Sequence, residues 1–153
     1  MTYKVAAYLR LSKEEYSNET KSNSITNQKL IIDNYLKKHR EYKLVDYYID
    51  DGYSGTNFDR PEFQRMLEDI KNKKIDVILI KDLSRLGRNY IETGNFVEVV
   101  FPAMGVSVIS VDENYEIDSS DYYSDDYLAL KNLFNDMYAK DISKKVRSSL
   151  IFL

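Results

Sequence analysis

Tyr3-Lys4-Val5-Ala6-Ala7-Tyr8-Leu9-Arg10-Leu11-Ser12 is the stretch that decides the fold. Val5 to Leu9 is almost wholly apolar, as expected of a short strand buried on both faces of a parallel sheet. It ends in a cation and a hydroxyl two residues apart. Alternate residues of an extended chain share a side, so Arg10 and Ser12 point the same way. Open α/β sheets bind ligands at the carboxyl ends of their strands. Ser12 therefore reads as a nucleophile, and Arg10 as the group that holds an anion against it. The ordinary alternative is a turn-capping serine beside a surface arginine, and these residues taken alone favour it.

Outward from this strand, the pattern alternates. A polar stretch, Lys13 to Asn23, reads as a mobile loop. Ile25, Ile32 and Leu36 give a helical stripe from about Ser24 to Lys38, with His39 at its solvated, cationic end. Leu44 to Ile49 is a second strand. Pro61 suits the first turn of a helix, and Phe63, Met66, Leu67 and Ile70 follow at helical spacing. Ile75 to Ile80 is the strongest strand of all. A helix from about Tyr90 ends near Met104, and Val106 to Val111 is a fourth strand. Asp112 to Asp126 holds seven acidic residues and no basic one, and reads as a solvated loop rather than a metal site. A last long helix begins near Ser124 or Asp125, with Leu130, Leu133, Phe134, Met137, Tyr138, Ile142 and Val146 as its apolar positions. The expected fold is α/β, with a mostly parallel central sheet of about four to five strands, helices on both faces and a long C-terminal helix.

Composition narrows the chemistry. The chain has 153 residues, enough for one ordinary core. It has no Cys, which excludes a disulfide framework and thiolate metal sites, and its one His excludes a His-rich zinc site. No apolar run reaches membrane-spanning length and no signal peptide is visible, so a cytoplasmic protein is expected. The net charge of −3 argues against a general polyanion binder. Any nucleic-acid contact must come from a local cluster of cations.

Three strand ends supply such a cluster. The first carries Arg10 and Ser12. The second carries Asp51 and, beyond a Gly-containing loop, Arg60. The third carries Asp82, Ser84, Arg85 and Arg88, the two arginines spaced for one face of a helical turn. In a parallel sheet these loops share an edge. Arginine grips phosphate oxygens in a bidentate fork, and phosphoryl transfer needs positioning and charge neutralisation above all. A serine among guanidinium groups can attack a phosphodiester and be held as a phosphoserine. His39 lies too far off to act as its base.

Four motifs in order carry a resemblance. Tyr8-Leu9-Arg10-Leu11-Ser12, then Ser24-Ile25-Thr26-Asn27-Gln28, then Asp51-Gly52-Tyr53-Ser54-Gly55 leading to Asp59-Arg60-Pro61, then Ser84-Arg85-Leu86-Gly87-Arg88 resemble the catalytic domain of the serine recombinases. Lys81-Asp82-Leu83-Ser84-Arg85 is most similar to the large recombinase and transposase branch. The resemblance implies a resolvase-like fold and a site-specific DNA recombinase. Ser12 would attack DNA to give a 5′-phosphoserine link and a free 3′-hydroxyl, with resealing after strand exchange and no ATP, metal or other cofactor. Arg10, Arg60, Arg85 and Arg88 match phosphate-contacting arginines; Tyr8, Gln28 and Asp51 match supporting positions. Where small resolvases carry an acid, this chain has Ser84, and Asp82 is the nearest substitute. Residues 1–138 would form the catalytic domain. Residues 139–153, with Lys140, Lys144, Lys145 and Arg147, look like the start of a truncated dimerisation helix. The implied partners are DNA and further copies of the chain, a homodimer and a homotetramer on DNA, with no membrane. The chain would be a piece lacking its DNA-binding domains, and so weak on DNA alone.

Two other readings compete. A magnesium-dependent phosphotransfer or nicking domain would use Asp51, Asp82 and Asp112 as oxygen ligands. A non-catalytic module would use the arginines to bind a phosphorylated partner.

Overall fold

The computed structural model describes residues 2–13 and 24–117. Its elements run β1 (Tyr3–Leu11), α1 (Ile25–Lys38), β2 (Tyr42–Asp51), α2 (Pro61–Lys71), β3 (Val77–Ile80), a 3₁₀ turn (Leu83–Arg85), α3 (Tyr90–Asn95), a π segment (Phe96–Val100), α4 (Phe101–Ala103), β4 (Ser107–Ser110) and β5 (Tyr115–Ile117). The expected loop at Lys13 to Asn23, apart from Lys13, and the expected C-terminal helix lie outside the described residues.

One five-stranded sheet has the order β2-β1-β3-β4-β5, parallel through β4 and antiparallel at β5. The expected α/β architecture is therefore present. Alternation in β1 divides the core. Val5, Ala7 and Leu9 pack with Val77, Leu79, Ile109 and Ile32 of α1 on one face. Ala6 and Tyr8 pack with Ile78, Ile80, Val108, Phe63 and Met66 of α2 and Val97 and Phe101 on the other. Helices thus cover both faces, which is why β1 is buried from Val5 through Leu11.

β2 hides an irregularity. Its register slips between Val5 and Ala6, pairing Val5 with Leu44 but Ala6 with Asp46. Val45 is the extra residue, and its side chain is 46% exposed. The bulge inverts parity, so Leu44 and then Tyr47 and Ile49 reach the α1 face, while Tyr48 reaches the α2 face.

Three expectations need correction. The acidic stretch after Val111 is not simply a loop, since Asn114, at φ 54°, turns the chain back into β5. His39 is not a freely solvated terminus. It caps α1, stacks on Tyr35 at 4.0 Å between ring centroids, and places Nδ1 2.9 Å from the Tyr35 carbonyl oxygen. The helix from Tyr90 is not uniform either. Pro102 has no N–H and would press on the Glu98 carbonyl in an α-helix, and the chain widens to a π turn there, with Phe101 N–H donating to Phe96 O.

Candidate active site

The strand order places the site. β1 lies between β2 and β3, with α1 on one face and α2 and α3 on the other. The carboxyl ends of β1 and β3 therefore flank a topological switch point, where such sheets open a crevice. Arg10 and Ser12 leave β1 there, and Lys81 to Arg85 leave β3 beside them. The register pairs Arg10 with Asp50 and Leu11 with Asp51, which brings the β2 loop to the same edge. Gly52 N donates to Leu11 O at 2.6 Å, and Arg88 N to Gly55 O at 2.7 Å, tying the three loops together. His39 precedes β2 and so belongs to the opposite edge.

Arg10, Arg60 and Arg85 form one buried cluster, exposed by 1%, 1% and 5%. Arg10 donates through Nε to Arg85 O at 3.0 Å, through Nη1 to Tyr53 O at 3.2 Å and through Nη2 to Ser84 O at 2.6 Å. Arg85 answers through Nη1 to Arg10 O at 2.6 Å. Arg60 donates through Nη1 to Tyr8 Oη at 2.8 Å and to Arg85 O at 3.2 Å, through Nε to Asn57 O at 3.0 Å, and through Nη2 to Leu86 O. Its guanidinium lies over the rings of Phe63 and Phe58, 4.9 and 5.0 Å from their centroids. Arg88 departs from the expected pairing with Arg85. The 3₁₀ turn ends at Arg85, and Arg88 is exposed while Arg85 is buried.

Ser12 is 2% exposed, just beyond β1. Gln28 of α1 brackets Arg10, accepting from its N–H at 3.3 Å and donating to its carbonyl at 3.0 Å. Tyr8 donates to Asp50 Oδ2 at 2.8 Å. Burial, with Asp50 adding to it, pushes the Tyr8 phenol well above its usual range despite the opposing Arg60 charge, so Tyr8 is a neutral donor. Asp51 is exposed at the end of β2.

The residue missed in the sequence is Asp50. It is 1% exposed and also accepts the N–H groups of Glu62 and Phe63, at 3.0 Å each, which caps α2 from a neighbouring strand. The available signal was parity, because Asp50 is two residues beyond the apolar Tyr48.

Gly55 is required by close approach. A Cβ there would lie 2.7 Å from Arg10 Nη2 and 3.0 Å from Arg88 Cγ. Gly55→Ala is expected to displace Arg10 and to cost about 1–3 kcal/mol, measured by urea unfolding.

Asp82 accepts from the Ser84 hydroxyl and from Arg85 Nε at 3.4 Å. Burial alone would raise its pKa, but the Arg85 charge, the Ser84 hydrogen bond and the Lys81 charge outweigh burial and hold it below the usual carboxylate range. A depressed folded pKa gives stability that is complete above the unfolded value of about 3.9 and is lost as pH falls through the folded pKa. The stability gap between wild type and Asp82→Asn is therefore expected to shrink below about pH 4 in urea titrations.

The geometry bears on the metal reading. Lys81 Nζ sits 3.0 Å from Asp112 Oδ2 and 3.5 Å from Asp82 Oδ2, so an ammonium already bridges two of the three carboxylates. Asp51 ends β2, with β1 lying between it and β3. Among the described residues, no helix is long and apolar enough to cross a membrane.

The fold has relatives among known proteins. A search of curated proteins finds no match. Among solved structures, the chain is similar to the N-terminal catalytic domain of TP901-1 integrase, at 27% identity and TM-score 0.69 over 93% of this chain and 96% of that one. It is similar to a resolvase family site-specific recombinase from Streptococcus pneumoniae, at 26% identity and TM-score 0.67 over 98% and 97% of the two chains. It also resembles the C-terminal catalytic domain of ISC1926 TnpA, an IS607-like serine recombinase, at 26% identity and TM-score 0.56 over 71% and 70%. The family model described as "Resolvase, N terminal domain" matches residues 5–151. With nearly its whole length matched, the chain belongs to the resolvase N-terminal domain family, the catalytic domains of serine recombinases.

Proposed function

We propose that this domain breaks and rejoins DNA through Ser12. The Ser12 Oγ–P bond forms as the P–O3′ bond breaks, leaving a 5′-phosphoserine and a 3′-hydroxyl. One proton leaves the serine and one is gained by the 3′ oxygen. After strand exchange, the 3′-hydroxyl attacks the phosphoserine and restores both partners. The phosphoserine link conserves the bond energy, so resealing needs no ATP, and the charge a metal would neutralise falls to guanidinium groups.

Arg10, Arg60, Arg85 and Arg88 are the phosphate-contacting groups in this reading. Tyr8, Gln28, Asp51, Asp82 and Ser84 support them. The observation that carries it is the convergence of Arg10 and Arg60 on the Arg85 carbonyl, while Arg85 in turn donates to the carbonyl of Arg10, two residues from the buried Ser12. Residues 1–138 are the catalytic unit, and in this reading copies of the chain pair as dimers that join as tetramers on DNA.

The test is covalent capture. The chain is incubated with a randomised pool of nicked duplexes, adducts are isolated under denaturing conditions, and the modified peptide is sequenced by mass spectrometry. The expected result is a nucleotide on Ser12, formed equally well with a chelator present. A nucleotide on another residue, or activity that disappears with the chelator, overturns the reading. A phosphate-binding module without catalysis would give no adduct at all.

A further inference from the structure

The acidic run after β4 turns its first two carboxylates back into the fold. Asp112 takes the Lys81 ammonium at 3.0 Å, and Lys81 is only 8% exposed. Glu113 accepts the Leu83 N–H at 3.1 Å through Oε1 and the Ser110 hydroxyl through Oε2. The main chains are joined as well: Val111 N donates to Ile80 O at 3.0 Å, and Asp112 N to Lys81 O at 2.8 Å. The β4–β5 turn therefore holds both ends of Lys81-Asp82-Leu83.

This short segment leads directly to the arginine cluster. Lys81 Nζ lies 3.5 Å from Asp82 Oδ2, Asp82 Oδ1 receives Arg85 Nε at 3.4 Å, and Arg85 Nη1 reaches Arg10 O at 2.6 Å. Glu113 fixes the first N–H of the 3₁₀ turn that aims Arg85. A buried ammonium is costly unless paired, and an apolar residue would close the end of the sheet at less expense. What the ammonium adds is a fixed charge beside Asp82.

We infer that Lys81 and Glu113 are positioning residues for DNA cleavage, through which the β4–β5 turn sets where Arg85 stands against Arg10. Neither touches the scissile phosphate; both act through the segment from Asp82 to Arg85. This rests on the Ser12 reading above and extends it to the β4–β5 turn, which carries none of the four motifs.

The test uses the full chain and the duplexes captured by wild type. Lys81→Met, Glu113→Ala and Glu113→Gln are compared for DNA affinity, for the single-turnover rate of adduct formation and for amide exchange at Leu83. Misplacement of a catalytic group by about 1 Å costs on the order of 100-fold in rate, so Lys81→Met and Glu113→Ala are expected to slow adduct formation by about 10- to 100-fold at unchanged affinity. Glu113→Ala is expected to release the Leu83 amide to exchange. Glu113→Gln keeps the acceptor and is expected to recover most of the rate. A brace that served folding alone would lower the melting temperature and leave the rate of the folded protein intact. Folded variants that cleave at the wild-type rate overturn the inference. If Lys81→Met does not fold, equal rates for Glu113→Ala and Glu113→Gln overturn it. A wild type with no Ser12 adduct defeats the earlier reading instead, so the two failures are separate.

Discussion

Ser12→Ala is expected to abolish covalent protein–DNA adducts while leaving DNA affinity unchanged. Removing the nucleophile of a serine enzyme costs on the order of a million-fold in rate, which takes the reaction below detection. Affinity comes from phosphate contacts by cations, and the substitution removes none of them. Loss of one hydroxyl hydrogen bond costs about 1 kcal/mol of stability, too little to unfold a domain. Denaturing gels with end-labelled duplex measure the adduct, and a filter or mobility assay measures affinity. A band that persists in the alanine variant removes Ser12 from the chemistry.

The largest stability effect is expected at Arg60. Its guanidinium is buried, and its donors serve Tyr8 Oη and the carbonyls of Asn57, Arg85 and Leu86. Arg60→Met strips these acceptors together and removes the cation nearest the Tyr8–Asp50 pair. Breaking a buried charged network in this way costs about 3–5 kcal/mol. Domains of this size have about 5–15 kcal/mol in all, so the variant is expected to be partly unfolded at moderate temperature. Arg60→Lys is expected to rescue little, because a single ammonium cannot span acceptors that a planar fork reaches. Urea midpoints for the two variants check this, and a lysine variant as stable as wild type contradicts it.

Three of the four motifs were legible in the sequence because each sits where a strand ends, while Ser24 to Gln28 opens α1. An apolar run finishing in Arg10, and another finishing before Lys81, announced both the sheet and its functional edge. What the sequence concealed were facts that depend on pairing. Asp50 and Asp51 look alike as letters. Only the register beyond the Val45 bulge decides that Asp50 turns inward to Tyr8 and the start of α2 while Asp51 stays exposed. Similarly, spacing alone placed Arg85 and Arg88 on one helical face. The turn stops at Arg85, and Arg88 is tied instead to the Gly55 carbonyl. The role of Glu113 was hidden for a related reason, since a single carboxylate in a run of acids gives no sign of which amide it will cap.

The inward set of the arginines has a consequence for the idle protein. Arg10 and Arg60 spend donors on the carbonyl oxygens of the chain's own loops. In the proposed reaction, these guanidinium groups would have to release those carbonyls before taking a phosphate. On that proposal, DNA engagement would be coupled to a rearrangement of the loops whose carbonyls the two arginines now hold.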